Sequence, residues 1–399
     1  MITFPDAYQK VMDNFQNYGE EKVALKDAIG RVLAEDIFAD RNFPPFNRAT
    51  KDGIAINFEV FNQGQKVFKI QDVLAAGMPP IPLKDTTNCI EIMTGAMVPF
   101  NIDTVIMYED LEIDNGLATI VKPPKKGQDI HIEGSDQKKG DLILPKSIKI
   151  SAAEIGILAT VGRSEVLVKK LPKTTIISTG NELVDVIETP LPHQIRKSNI
   201  YTLDAALSQE GIRPRHMHLL DDRGVIKKEL KQALLLNDVL LLSGGVSMGK
   251  YDYIPEVLEE LGVQKIFHKV LQRPGKPFWF GRQKETKTLI FSFPGNPAST
   301  FANYQVYFQD WLQKSLGLPV SKFNVFLNDA FAAKGDLTLL IRVKLSFDKG
   351  NMLASLVKEN GSGDLTSLSL TDGFVILSPR ESGYNKGDLV PFVPTRNII

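Results

Sequence analysis

Hydrophobic and polar positions fall into four textures along the 399 residues. Near the N-terminus Tyr8, Val11, Met12 and Phe15 recur at helical spacing behind Pro5, so residues 1–41 are expected to be largely helical. A related helical pattern returns at 151–161. Between the two, residues 42–139 are rich in Pro, Gly and short β-type runs. There Asp114-Asn115-Gly116 separates Leu111-Glu112-Ile113 from Leu117-Ala118-Thr119-Ile120-Val121, which predicts a hairpin. The segment reads as a β-rich domain inserted into a helical one that is split between 1–41 and 140–172.

From 173 to 318 apolar runs alternate with helical patterns. Strands are expected at 174–177, 216–220, 239–242 and 289–293, and helices at 198–209, 224–236, 254–261 and 297–316. That rhythm predicts a mostly parallel α/β sheet wound on both faces. From 319 to 399 the helical period is lost, Leu339 to Leu345 carries β-type alternation, and Asp348-Lys349-Gly350-Asn351 reads as a turn. A small β-barrel-like domain is expected there. The fold class is therefore α/β multidomain: a doubly wound sheet domain, a split helical linker domain, an inserted β-rich domain and a C-terminal β domain.

Three of the apolar runs end in small residues before a helical pattern. They are Ser178-Thr179-Gly180, Ser243-Gly244-Gly245 and Pro294-Gly295-Asn296-Pro297. A strand that ends this way and opens a helix presents bare backbone N–H groups, to which the helix dipole adds partial positive charge. Three such turns in one α/β pattern predict a crevice for a phosphorylated ligand at the carboxyl ends of parallel strands.

Composition narrows the partners. Forty-seven basic residues balance 47 acidic ones, so no net field recruits nucleic acid or an anionic membrane, and any anion site must be local. A lone cysteine, Cys89, leaves no intrachain disulfide and no thiolate metal cluster, which fits a reducing compartment. Residues 1–10 lack the apolar run of a signal peptide, and no stretch is apolar for long enough to span a bilayer. A cytoplasmic protein is expected.

Carboxylates flank the turns: Glu182 after Thr179-Gly180-Asn181, the pair Asp221 and Asp222, and Asp252 after the Ser-Gly-Gly run. Acids beside a phosphate site would repel the ligand unless a cation intervenes. Mg²⁺ resolves this, because it binds one or two carboxylates together with phosphate oxygens. Asp222 fits a helix cap better than a ligand. Arg273-Pro274-Gly275-Lys276-Pro277 is a basic loop stiffened by two prolines, suited to a small oxyanion. The five histidines show no metal-ligand spacing, and neither Ser247 nor Ser299 has a neighbouring His–Asp partner.

Taken together these segments resemble the molybdopterin molybdenumtransferase family, the MoeA proteins and the gephyrin E-domain. The matching pieces include Pro44-Pro45-Phe46-Asn47 with Asp52-Gly53, Thr94-Gly95-Ala96, Ser178-Thr179-Gly180-Asn181-Glu182, Ile195-Arg196-Lys197-Ser198-Asn199, the Ser243 to Asp252 segment, Pro274-Gly275-Lys276-Pro277, Pro294 to Pro297, and Asn360-Gly361-Ser362-Gly363. They occur in family order over nearly the whole chain.

The resemblance implies a homodimer whose sites join the α/β domain of one copy to the β-rich domain of the other. It implies that adenylylated molybdopterin and molybdate are substrates, that Mg²⁺ is required, and that AMP leaves as molybdenum cofactor forms. By matching position, Asp52, Glu182, Asp221, Asp252 and Lys276 are catalytic, with Glu182, Asp221 and Asp252 on the metal. Thr94, Gly95, Thr179, Gly180, Ser243, Gly244, Gly245, Ser247, Pro294, Gly295, Asn296 and Pro297 bind the nucleotide substrate, and Arg273, Lys276, Ser299, Arg342 and Ser362 hold molybdate. A molybdopterin adenylyltransferase and molybdoenzyme-assembly proteins are the implied partners. The chain departs from the family pattern at Ala49, Lys51 and Asn181. Lys51 is close enough in sequence to clamp Asp52 in an ion pair. Two other functions stay open, a molybdopterin-nucleotide carrier and a nucleotide pyrophosphatase on the same α/β unit.

Overall fold

The structure, a computed structural model, describes residues 1–246, 252–333 and 335–396. The chain forms two compact units, one of Met1–Ala34, Ser147–Ser151 and Leu167–Ile399, the other of Glu35–Lys146 and Ala152–Val166.

The first unit is built on a six-stranded sheet in the order Arg215–Leu219, Thr174–Thr179, Val239–Ser243, Leu289–Phe293, Trp279–Gln283, Val263–His268. The first four are parallel, in register Ser178↔His218, Ser178↔Ser243 and Ser243↔Phe293. The last two join antiparallel. Every residue of Val239–Ser243 is buried, as a parallel strand covered on both faces requires. Alternation along the strands then sorts side chains to two cores. Ile176, Leu241 and Phe291 face one core, packed by the helices Phe4–Met12 and Ser198–Gln209 and the helical run from Pro297 to Ser315. Ile177, Leu240, Leu242 and Ile290 face the other, packed by Arg223–Leu236 and Ile254–Glu260.

The helix expected at 297–316 is present, but its hydrogen-bond register changes midway: Pro297–Asn303 and Gln309–Ser315 are α-helical and Tyr304–Phe308 is a π-helix. At the N-terminus the helical expectation for 1–41 holds for Phe4–Met12, where Thr3 caps the helix by accepting from the Asp6 N–H at 3.2 Å, and otherwise only for a single 3₁₀ turn at Leu25–Asp27. Beyond it Gly19 takes a left-handed conformation, and Glu20–Ala24 is a strand. The short helix presents Ala7, Val11 and Met12 to the aromatic side of the α/β core.

The C-terminal part closes on itself. Thr338–Asp348 pairs with Asn351–Leu356 and with Gly373–Leu377, and the ring is completed through Phe323–Leu327 and Leu389–Pro394. This small barrel is filled by Val325, Leu327, Val343, Ala354, Val375, Leu377, Val390 and Phe392. Gln272–Arg273 pairs in parallel with Thr338 and Leu339, which ties the basic loop to the barrel.

The second unit carries a six-stranded sheet in the order Thr104–Met107, Gly53–Ile56, Asn88–Ile92, Val67–Leu74, Leu117–Ile120, Leu111–Asp114. The expected hairpin at Asn115-Gly116 joins its last two strands, with both turn residues at positive φ. The helix expected at 151–161 is found as Ala152–Thr160. Among the described residues no helix is long and apolar enough to cross a membrane.

Candidate active site

The chain leaves Thr174–Thr179 for a neighbour on one side, Arg215–Leu219, and then crosses to the other side as Val239–Ser243. Outside the carboxyl ends of strands at such a reversal there is room for a ligand. A cleft of about 1510 Å³ lies there, within the first unit. Its walls include Thr179, Gly180, Glu182, Asp221, Ser243, Gly244, Gly245, Asp252, Arg273, Lys276, Pro294, Gly295, Asn296, Pro297, Ser299, Arg342 and Ser362. The three small-residue turns therefore open on one space, as predicted. Ser178-Thr179-Gly180, however, does not run straight into a helix: the short strands Leu183–Val184 and Ile195–Arg196 come before Ser198–Gln209, whereas Pro294–Pro297 opens its helix directly.

The turns are tied to one another. Asn199, on the first turn of Ser198–Gln209, donates through Nδ2 to Ser243 Oγ at 2.7 Å and to the Gly295 carbonyl at 2.8 Å. One amide thus fixes the spacing of two turns. Asn296 Nδ2 donates to Ser362 Oγ at 2.7 Å, and the Ala298 N–H to the Ser362 carbonyl at 3.2 Å, which docks the 360–363 loop on the third turn. Gly244 sits at φ +97°, and a Cβ there would lie 2.8 Å from Thr179 Oγ1. Only glycine lets the second turn come this close to the first.

Acids come from the strand ends. Asn181 and Asp221 bond reciprocally: the Asn181 N–H donates to Asp221 Oδ2 at 3.2 Å, and Asn181 Oδ1 accepts from the Asp221 N–H at 3.0 Å. Asn181 thereby orients the Asp221 carboxylate. Asp222 accepts from the Val225 N–H at 2.8 Å and caps the helix Arg223–Leu236, as its position suggests. Among the described residues no group of three or more His, Cys, Asp or Glu is placed to hold a metal. Glu182, Asp221 and Asp252 are hard oxygen donors lining the same cleft as the phosphate-type turns. That set fits Mg²⁺ bound through one or two carboxylates and completed by ligand phosphate oxygens, and it does not fit a cation caged by protein alone. His218 accepts or donates in a 2.9 Å bond between Nδ1 and Ser178 Oγ, and burial, then Lys197, lowers its pKa. His216 Nε2 lies 3.5 Å from Asp204 Oδ1. Neither belongs to a metal-binding group.

Cations come from the basic loop and the barrel. Arg273 and Lys276 are exposed and, among the described residues, make no ion pair. Their loop is held from behind by Gln272, Asn303 and Tyr307, all fully buried. Arg342 differs from the simple expectation of a free anion-binding cation. It is buried, paired with Glu359 at 2.8 Å, and donates to Ser367 Oγ and to the Gly361 carbonyl at 3.1 Å. Burial lowers its pKa from the usual value, and Glu359 and Asp364 oppose that shift. Asp364 itself is pulled down to about 2 by the Thr366 hydroxyl and the Asn360 and Ser367 N–H groups.

Comparison with known proteins decides the lineage. Family models match in succession along the chain: "MoeA N-terminal region (domain I and II)" at 2–162, "Probable molybdopterin binding domain" at 175–314, and "MoeA C-terminal region (domain IV)" at 324–395. The chain is 38% identical over 396 residues to the molybdopterin molybdenumtransferase of Synechocystis sp., covering 98% of this chain and 99% of that one. The chain belongs to the molybdopterin molybdenumtransferase (MoeA) family. The enzyme of that name from Bacillus subtilis is 30% identical over 405 residues, covering 98% and 93%. A solved structure of the molybdopterin biosynthesis MoeA protein from Pyrococcus horikosii superposes with a TM-score of 0.84 at 30% identity over 100% of both chains.

Three MoeA-pattern residues belong to the second unit. Asp52 Oδ1 accepts from the Thr94 N–H at 2.6 Å and from Thr94 Oγ1 at 2.7 Å, and these bonds lower the Asp52 pKa, the hydroxyl bond first. Gly95 follows at φ +88°, closing the turn that aims Thr94 at Asp52. The clamp by Lys51 is not formed: among the described residues Lys51 makes no ion pair, and Thr94 holds the carboxylate instead. Ser247 lies outside the described residues. Sequence reading gave no role to Gln272, Asn303, Tyr307 or Glu359. The available signal was Asn303, a polar residue on the buried face of a helical pattern. Asn199 is visible in the sequence only as the last residue of the Ile195-Arg196-Lys197-Ser198-Asn199 motif.

Proposed function

We propose that the protein cleaves the pyrophosphate of adenylylated molybdopterin in a molybdate-dependent step, transfers molybdenum to the dithiolene and releases AMP. The observation that carries this reading is the division of one cleft. Three strand-end turns and the acids Glu182, Asp221 and Asp252 occupy it together with two cations, Arg273 and Lys276, that have no carboxylate partner among the described residues. Phosphates suit the strand-end region because the helices that begin at Ser198 and Pro297 present their N-termini to the cleft. The N–H groups of Gly180, Asn181 and Gly244, by contrast, are already donated to Leu219, Asp221 and Phe293. A tetrahedral oxyanion suits the cations with the hydroxyls of Ser299 and Ser362.

In this reading the turns at Thr179, Ser243 and Pro294 orient the pyrophosphate, and the basic loop brings molybdate beside it. One or two carboxylates of the set Glu182, Asp221 and Asp252 would hold Mg²⁺ together with ligand phosphate oxygens, and the ion when bound would neutralise charge on the anhydride. Charge neutralisation and positioning are what such a cleavage chiefly needs, so this reading asks no nucleophilic role of the Ser178–His218 pair at the cleft. A cytoplasmic homodimer in which Asp52 and Thr94 of one copy serve the cleft of the other belongs to the same proposal. So does exchange of substrate and product with a molybdopterin adenylyltransferase and molybdoenzyme-assembly proteins.

The test is direct. Purified protein given adenylylated molybdopterin, Mg²⁺ and molybdate should release AMP and yield a product that activates a cofactor-free molybdoenzyme. Nucleotide binding with no AMP release would indicate a carrier. AMP release that ignores molybdate would indicate a pyrophosphatase.

A further inference from the structure

We propose that the backbone N–H groups of Gly275 and Lys276 form part of the oxyanion site and that Asn303, with Gln272 and Tyr307, is the positioning residue that aims them. The proposal rests on the reading of the basic loop as the molybdate site.

The argument begins behind the loop. Gln272 Nε2 donates to the Pro274 carbonyl at 3.0 Å and to Asn303 Oδ1 at 2.7 Å, Asn303 Nδ2 donates to the Gly275 carbonyl at 3.2 Å, and the Tyr307 hydroxyl donates to Gln272 Oε1. Gln272, Asn303 and Tyr307 are each 0% exposed. Polar groups this deeply buried are costly unless fully paired, and an apolar support would fill the same space at lower cost. What an apolar support cannot do is choose the direction of a peptide. Here two consecutive carbonyls, of Pro274 and Gly275, are drawn inward.

In a trans peptide the N–H points opposite to the C=O. Drawing those two carbonyls inward therefore turns the N–H groups of Gly275 and Lys276 away from the network. Gly275 and Lys276 both line the cleft. Neither N–H has a hydrogen-bond acceptor among the described residues. Two adjacent N–H donors between the side chains of Arg273 and Lys276 make a small anion-binding concavity that needs no further preparation. Gly275 itself is required: it lies at φ +89°, and a Cβ would fall 2.3 Å from Asn303 Oδ1.

Asn303→Leu keeps the approximate volume and removes both bonds of the amide. Molybdate binding alone, followed by calorimetry on the full-length protein, should weaken about tenfold, with nucleotide affinity changed by no more than about twofold. The molybdate concentration for half-maximal AMP release should rise in parallel, with kcat at saturating molybdate retained. Tyr307→Phe keeps the ring and removes one hydroxyl; it should weaken molybdate binding about threefold and decides the matter if Asn303→Leu fails to fold. Lys276→Ala is the control for the underlying reading. Loss of molybdate binding in Lys276→Ala but not in Asn303→Leu or Tyr307→Phe would overturn the inference alone. Equal loss of molybdate and nucleotide affinity in Asn303→Leu would also overturn it, since the residue would then be merely structural. Unchanged molybdate binding in Lys276→Ala would overturn the reading of the loop and the inference with it.

Discussion

The Arg342 guanidinium meets the Glu359 carboxylate at 2.8 Å in the wall of the cleft, with Arg342 2% exposed and Glu359 37% exposed. An oxyanion that reaches Arg342 must compete with that carboxylate. Glu359→Gln removes the competing charge and keeps the side-chain shape. The concentration of molybdate for half-maximal AMP release should therefore fall, by about threefold. Because Arg342 loses its counter-charge, stability measured by urea unfolding should drop by about 1 kcal/mol, a value discounted for the exposure of Glu359. An unaltered molybdate dependence would take Arg342 out of the oxyanion site.

The Asp52–Thr94 pair gives a pH-dependent prediction. The Thr94 hydroxyl and N–H favour ionised Asp52 and lower its pKa in the folded protein. Such a group contributes stability above the ordinary carboxylate pKa of about 3.9, and that contribution is lost as pH falls through the depressed folded value. Thr94→Val removes the hydroxyl and keeps the N–H. Asp52, followed by carbonyl NMR, should titrate at higher pH in the variant than in the wild type. The stability difference between the two proteins should shrink as the solution is acidified below about pH 4. A constant difference across that range would show that Thr94 acts through packing.

How much of this was legible in the sequence follows from what repeats. Parallel strands buried on both faces must be apolar throughout, so Val239–Ser243 and Leu289–Phe293 could be read almost to the residue. Val263–His268 is an edge strand of mixed polarity, with Gln264 and Lys265 exposed, and it carried no such signal. The N-terminal helical spacing ran on to Phe15, but Gly19 and the alternating Glu20–Ala24 end the helix early. The π-helical register of Tyr304–Phe308 leaves no period of its own in the sequence. Turn residues of the site were legible because small residues at strand ends have few other uses. Their supports, Asn199, Gln272 and Asn303, were not, since a buried amide is recognised only by the partners that the fold brings to it.

Gly244 tests whether the close approach of two turns matters to binding. Alanine there must tolerate φ +97° and a Cβ 2.8 Å from Thr179 Oγ1 and 3.1 Å from the Thr179 carbonyl. The backbone carbonyl cannot swing away as a side chain can. Gly244→Ala should destabilise the protein by about 1–3 kcal/mol in urea unfolding and weaken binding of AMP to the cleft. Wild-type stability would mean that the turn relaxes more freely than its packing implies.

The two-copy site of the proposed homodimer can be tested by mixing inactive variants. Asp252→Ala disables the cleft of its own chain, and Asp52→Ala disables the loop offered to a partner. Each homodimer should then lack turnover while melting near the wild-type temperature. In a mixed dimer, one site combines both lesions and the other combines the intact cleft of the Asp52→Ala chain with the intact loop of the Asp252→Ala chain. Half of randomly assorted dimers are mixed, and half of their sites are whole, so co-expression should restore about a quarter of wild-type AMP release. If Asp52 instead served the cleft of its own chain, every site in every dimer would carry one lesion. No activity would return at any mixing ratio.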